Sequence, residues 1–242
     1  MKLLLITLLS VLGSLPLQDA PAKPVNSATV PAPRTEGGIL ARQTECVRRA
    51  KETAQADVVF VGDSITQGWE DVGNAEWNAR FARLGALNLG VSGDRTEHVL
   101  WRLEQAPLTR LAPKVIVLLI GTNNLGHGTH TAEQTLEGIQ RVIAVLREQA
   151  PQARLLVHEI LPRGERFNAM RGDITQINQA LRNAQSAGGY RTLAIGDTWV
   201  RADGSIDAAN MPDFLHLSPA GYAQWAVALE PVLREVLRSA GK

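Results

Sequence analysis

Val58-Val59-Phe60-Val61-Gly62-Asp63-Ser64-Ile65 is the stretch on which the reading of this chain turns. A short apolar run closed by glycine reads as a buried strand, and Asp63-Ser64 then falls at its carboxyl end. In an open parallel α/β sheet, ligands gather beyond the carboxyl ends of the strands, so the Ser64 hydroxyl is placed where a nucleophile belongs. Alone, a Gly-Asp-Ser turn is ordinary loop chemistry, and its meaning depends on partners elsewhere.

Outward from that strand, apolar runs alternate with amphipathic stretches, the pattern of a βα alternation around a parallel sheet. A helix is expected from Ile39 to Gln55. Further strands are expected at Ala86-Leu89, Val115-Ile120, Arg154-Ile160 and Thr192-Ile195. Val115-Ile120 is an unbroken apolar run, so it is expected at the centre, covered on both faces. Helices are expected from Thr96 to Gln105, Ala132 to Ala150, Ile174 to Ala187 and Ser218 to about Arg238. In the second of these, Leu136, Ile139, Val142, Ile143 and Leu146 recur at helical spacing. Five strands with helices between them make a three-layer α/β/α sandwich.

The chain has 242 residues, 45% hydrophobic and 20% charged, which suits one domain with a sizeable core. Net charge is +1, and no Lys/Arg cluster offers a nucleic-acid footprint, so no nucleic-acid partner is expected. Lys2, the apolar stretch Leu3 to Leu17 and the small residues Ala20 and Ala22 read as a signal peptide over residues 1–22. Secretion or a periplasmic location follows. The apolar stretch is short for a stable membrane span, and a retained N-terminal anchor is the alternative. Residues 23–36, with Pro24, Pro31 and Pro33 among Ala, Ser and Thr, read as a flexible or extended leader carrying no chemistry. The folded domain is then 37–242. Cys46 is the only cysteine, so no intrachain disulfide forms, and the thiol reads as a small helix residue.

Right-handed crossovers return every strand in the same direction, so the loops after the strands share one edge of the sheet. On that edge stand Asp63-Ser64, Asn88-Leu89-Gly90-Val91-Ser92-Gly93-Asp94 and Gly121-Thr122-Asn123-Asn124, joined by the C-terminal Asp213-Phe214-Leu215-His216. Hydrolysis by a serine needs a base, a carboxylate that fixes the base's tautomer, and donors for an oxyanion. His216 is the candidate base. Asp213, three residues earlier, can reach back to Nδ1 and leave Nε2 to face Ser64. The candidate oxyanion donors are the backbone N–H groups of Ser64 and Gly93 and the side-chain amide of Asn123.

These blocks, in this order, resemble those of the SGNH (GDSL-like) hydrolases over roughly residues 40 to 240. The run from Asn88 to Leu103, with Ile160-Leu161-Pro162-Arg163-Gly164-Glu165 and Asp213-Phe214-Leu215-His216-Leu217, is similar to the catalytic subunits of the platelet-activating-factor acetylhydrolase type. The resemblance implies a flavodoxin-like sandwich, a Ser64/His216/Asp213 triad, an oxyanion hole from Ser64, Gly93 and Asn123, and neither metal nor other cofactor. It also implies an acyl pocket narrowed to acetyl size by Ile65, Thr122 and Leu215. Ile65 stands where the broader family often has Leu, which conserves volume. Export is a departure, since the resembled subunits work inside the cell.

The remaining histidines read as scaffold. His127 and His130 flank glycines without a supporting metal-ligand pattern, and His98 and Trp101 lie at helix spacing. His158, ending a strand, and Trp69, close after Ser64, are each candidates for the cleft wall as well as for the core. The expected function is a serine esterase acting on small, acetyl-type esters of a glycan or lipid. The rival from another class is a non-catalytic carbohydrate- or lipid-binding module on the same scaffold. The oligomeric state, a homodimer included, is left open by the sequence.

Overall fold

The structure, a computed structural model, describes residues 24–240. The segment read as a signal peptide lies outside the described residues. Five strands, β1 (Val58–Gly62), β2 (Ala86–Gly90), β3 (Val115–Leu119), β4 (Arg154–His158) and β5 (Arg191–Leu193), form one all-parallel sheet in the order β2-β1-β3-β4-β5. Helix α1 (Gly37–Glu52) precedes β1. Between β1 and β2 come the short α2 (Ser64–Gln67) and α3 (Asn74–Glu76), the latter running into a π-helical turn at Trp77–Phe81. Helix α4 (Thr96–Gln105) follows β2, α5 (Thr122–Gly126) and α6 (Ala132–Gln149) follow β3, α7 (Ala169–Gly188) follows β4, and α8 (Pro219–Ala240) closes the chain.

The period of two along the strands divides the core into two layers. Val59, Val61, Ile116 and Leu118 pack with residues of α1, α4, α6 and α7, such as Cys46, Leu103, Val142 and Leu181. Val58, Phe60, Val115 and Val117 face the other way, onto Trp69, Phe81, Trp225 and Leu229. The result is the expected α/β/α sandwich, with β1 and β3 buried along their whole length. The second layer is aromatic: the Trp69 ring meets those of Tyr222 and Trp225 at 4.7 Å between centroids. Trp69 is wholly buried and so belongs to the core, not to a cleft wall. His158 goes the same way. Its Nε2 accepts from Trp225 Nε1 at 2.9 Å, and burial pushes its pKa down to about 3, which keeps the ring neutral.

Helix α7 begins five residues before the expected Ile174, because the Asn168 side chain caps it by accepting from the Arg171 N–H at 3.0 Å. His98 is buried in the first turn of α4, where Nδ1 accepts from the Arg95 N–H at 2.9 Å. Among the described residues no group of histidine, cysteine and carboxylate side chains could hold a metal ion, and no helix is long and apolar enough to cross a membrane.

The Pro/Ala-rich segment, expected to be a flexible or extended leader, makes a 3-10 turn at Ser27–Thr29 and is laid down on the domain. Ala28 is fully buried, and its carbonyl accepts from Thr96 Oγ1 at 2.8 Å. Asn26 Nδ2 donates to the Gln134 carbonyl at 2.9 Å, and Ser27 Oγ lies 2.9 Å from His130 Nε2. The Ala32 N–H donates to the Glu97 carbonyl at 3.1 Å. Arg34, also buried, places its guanidinium beneath the turn that follows β2, with Nη1 3.7 Å from Asp94 Oδ1. The segment is a strap across α4 and α6.

Candidate active site

In the sheet register, Gly62 pairs with Gly90 and with Leu119, so β1, β2 and β3 end level. The turns that follow them leave one edge together. Ser64 is the first residue of α2, and Asp63 caps that helix by accepting from the Ile65 N–H through Oδ1 at 3.0 Å. Burial, with the nearby Asp94 charge adding to it, pushes the Asp63 carboxyl up to about 7 against the pull of the Ile65 N–H and of Arg163, and Oδ2 has no hydrogen-bond partner among the described residues. The rest of α2 is fixed from inside the protein. Asn88 Nδ2 donates to the Thr66 carbonyl at 2.8 Å, and Tyr222 Oη donates to the Ile65 carbonyl at 2.7 Å. Glycine at 90 is required for this contact, because a Cβ there would sit 2.7 Å from the Thr66 carbonyl carbon.

The other half of the site lies on the loop before α8. Phe214 has φ +58°, a left-handed conformation that non-glycine residues adopt at a cost of about 1–3 kcal/mol. It is held there by its N–H to the Met211 carbonyl and by its own carbonyl, which accepts from the Gly164 N–H, both at 2.9 Å. The resulting bend folds the chain over the Asp213 carboxylate. Oδ1 accepts from the N–H groups of Leu215 (3.1 Å) and His216 (2.7 Å), while Oδ2 lies 2.6 Å from His216 Nδ1. Partial burial raises the Asp213 pKa, but the hydrogen bonds from the His216 ring and backbone outweigh it and hold the carboxyl below its usual range. An ionised carboxylate only accepts, so Nδ1 carries the proton. Nε2 is then the acceptor for Ser64 Oγ, 3.0 Å away.

The turn after β2 supplies the third wall. Gly93 has φ +73°, which glycine adopts without strain. Among the described residues, none of the turn and loop hydrogen bonds uses the backbone N–H of Ser64 or of Gly93. Asn123, at the start of α5, is buried, and its Nδ2 donates to the Asp94 carbonyl at 3.0 Å. One of its two N–H bonds therefore fixes the side chain and the other is left for a ligand. Asp94 is a buried anion next to this turn, paired with Arg102 and approached by Arg34. Burial pushes its carboxyl up to about 6 against the pull of Arg102. Arg102 Nη2 also donates to the Leu89 carbonyl at 2.9 Å, so one guanidinium ties the end of β2 to the Gly93 turn.

The three residues expected to narrow the acyl pocket are placed differently from one another. Leu215 is half-buried beside His216. Thr122 is 4% exposed, and Ile65 is 1% exposed inside the aromatic layer. Ile65 and Thr122 are thus both buried next to the reacting groups. With Ser64 Oγ turned to His216, the next position on a helix is rotated about 100° away, here into the core. A half-buried cation that sequence reasoning did not single out stands nearby. Arg163 Nη1 donates to the Thr122 carbonyl at 3.2 Å, and the side chain forms no ion pair among the described residues. Asn88, Tyr222, Phe214, Arg102 and Arg34 were missed as supports of the site. Only Asn88, in a strand that ends in glycine, carried any signal.

A hydroxyl hydrogen-bonded to an imidazole nitrogen that a carboxylate orients, with N–H donors close by, can attack a carbonyl carbon and stabilise the resulting oxyanion. The model of the GDSL-like lipase/acylhydrolase family matches residues 60–224. Platelet-activating factor acetylhydrolase IB subunit alpha1 from Pongo abelii is 41% identical over 185 residues, 76% of this chain and 78% of that protein. A GDSL-like lipase from Bacteroides thetaiotaomicron superposes with a TM-score of 0.69 at 18% identity, over 81% of this chain and 98% of the other. An acetylxylan esterase from Geobacillus stearothermophilus does so with a TM-score of 0.55 at 17% identity, over 76% and 95%. The sequence-level matches favour the enzyme over the non-catalytic module, and the chain belongs to the GDSL-like lipase/acylhydrolase family of ester hydrolases.

Proposed function

We propose that the protein is an exported serine esterase that removes acetyl groups from small or oligomeric esters through an acyl-enzyme. Ser64 Oγ attacks the ester carbonyl carbon while His216 Nε2 takes its proton, and Asp213 stabilises the imidazolium that forms. The N–H groups of Ser64, Gly93 and Asn123 receive the oxyanion. Collapse breaks the bond to the alcohol oxygen, to which His216 returns the proton. Water then repeats the sequence on the acetyl-serine, giving acetate and free Ser64. The observation that carries this reading is the chain Ser64 Oγ to His216 Nε2 at 3.0 Å and His216 Nδ1 to Asp213 Oδ2 at 2.6 Å.

Acetyl preference is supported by Leu215 beside the base, by buried Thr122 beside the oxyanion amide, and by relatives named for acetyl esters. Export is supported by Lys2 and the apolar stretch after it. Initial rates on p-nitrophenyl acetate, butyrate and octanoate test the acyl reading: acetate should be fastest, and octanoate at an equal or higher rate refutes it. Leu215→Ala should narrow the gap between acetate and butyrate. Ile65→Ala is the wrong probe, since opening a cavity at a fully buried isoleucine costs about 2–5 kcal/mol of stability. Ser64→Ala should abolish both turnover and labelling by a fluorophosphonate; a labelled variant would remove Ser64 from the nucleophile role.

A further inference from the structure

Beyond the carboxyl ends of β4 and β5 lies a cavity of about 440 Å³ that the catalytic set does not use. Glu159 and Pro162 line it from the loop after β4, Phe167 and Arg171 from the start of α7, and Asp197 from the turn after β5. Phe167 is 79% exposed, the one aromatic ring among the exposed large apolar side chains of the described residues. Leaving a phenylalanine in water forgoes about 1.5–3 kcal/mol of burial. The ring is nevertheless held in place. The guanidinium carbon of Arg171 stands 5.9 Å from its centroid, and Gly204 passes so close that a methyl there would collide with it. Arg171 is itself fixed by the carbonyls of Gly164 and Gly204.

Two carboxylates at this cavity have unused accepting capacity. Glu159 is 7% exposed and gives Oε2 to Arg182, while Oε1 has no hydrogen-bond partner among the described residues. The Asp197 side chain enters no hydrogen bond or ion pair in that same set. A held, solvated aromatic ring beside free acceptors suits a ligand with an apolar face and hydroxyl donors at its edge, which is a sugar ring. A quaternary ammonium would also suit an aromatic ring and carboxylates. Here, however, it would meet the Arg171 guanidinium at the ring and Arg182 at Glu159.

The position relative to Ser64 gives the cavity a use. The Gly164 N–H donates to the Phe214 carbonyl at 2.9 Å, two residues before His216, so the loop from Pro162 to Phe167 has the catalytic loop on one side and the cavity on the other. We propose that this cavity is a subsite for an unesterified pyranose residue of an oligosaccharide whose acetylated neighbour is presented to Ser64. The link to turnover rests on the esterase reading above, whereas binding of the sugar does not.

The test uses the full chain and ligands that carry no ester. Xylotetraose and cellotetraose are titrated into wild type, Phe167→Ala and Asp197→Asn, with calorimetry and saturation-transfer NMR as readouts, and phosphocholine serves as the rival ligand. Binding of at least one tetrasaccharide, weakened tenfold or more by Phe167→Ala and measurably by Asp197→Asn, is the expected result. Neither sugar binding, equal binding to Phe167→Ala, or phosphocholine binding where the sugars do not would each overturn the proposal. Far-ultraviolet circular dichroism confirms that the variants are folded. Failure of the esterase reading shows separately, as absence of acetate release from p-nitrophenyl acetate by wild type.

Discussion

Ser64 stands on a four-residue helix whose carbonyls are held from within the core by Asn88 and Tyr222, whereas His216 and Asp213 sit 46% and 56% exposed on a bent loop. The nucleophile owes its position to burial. The base owes its position to local geometry: one left-handed residue, Phe214, and three hydrogen bonds converging on a single carboxylate. One reaction centre thus depends on two kinds of order, and perturbation should separate them. Changes beneath Ser64 should cost stability and carry activity down with it, while changes at the exposed loop should cost activity alone.

The largest separation is expected at the loop. His216→Ala should lower kcat on p-nitrophenyl acetate by on the order of 10⁴-fold or more. Its unfolding free energy in urea should stay within about 0.5 kcal/mol of wild type, as for other exposed substitutions. A variant that loses several kcal/mol would show that the loop is part of the cooperative core and dissolve the contrast.

Asp63 provides the next test, through pH. Its carboxyl titrates near 7 in the folded protein, well above the unfolded value near 3.9, so the folded state holds the proton more tightly. The stability this contributes is complete below about pH 4 and lost as pH rises through about 7, up to about 4 kcal/mol in all. Asp63→Asn keeps the cap acceptor and removes the titration. The difference in unfolding free energy between wild type and this variant should therefore change steadily in the variant's favour from pH 4 to pH 8. A difference independent of pH would contradict the buried, unpaired carboxyl.

Asn88→Ala should lower the unfolding free energy by about 1–3 kcal/mol, because it leaves the Gly90 N–H buried without a partner and leaves the Thr66 carbonyl with only the Gly68 N–H. Urea titration measures this, and a loss under about 1 kcal/mol would mean that α2 is held by packing alone. The smallest expected effect is at Arg34. Arg34→Met removes the charge beneath the Gly93 turn and should lower kcat about fivefold, roughly 1 kcal/mol of transition-state stabilisation, with KM unchanged. A changed KM at constant kcat would instead put Arg34 in contact with substrate.

The same contrast explains what could be read without coordinates. Strands β1 and β3 were legible as unbroken apolar runs, β2, β4 and β5 as shorter apolar stretches interrupted by polar residues, and the loops beyond them carry polar residues that have no structural reason to cluster. Asp213 and His216 were legible for the reason that makes them exposed: their relation is local, three residues apart. Supports that reach across the chain left no such trace. Tyr222 meets Ile65 across 157 positions and Asn88 meets Thr66 across 22, and nothing at either end announces the other. Trp69 and His158 were candidates for the cleft wall as well as for the core, and the aromatic layer takes both inward. Helices α2 and α5 are too short to show a period, so their residues were read as loops.

The strap also bears on how the chain can be shortened. A peptidase that cuts after Ala20 or Ala22 leaves Asn26, Ala28 and Arg34 on the mature protein, with every one of their partners in place. A recombinant chain begun at Gly37, where α1 starts, would leave Thr96 facing an empty groove and take the guanidinium from under Gly93. The margin between harmless and damaging trimming is then a handful of residues, and the first to register the damage would be an N–H group that no deleted residue touches.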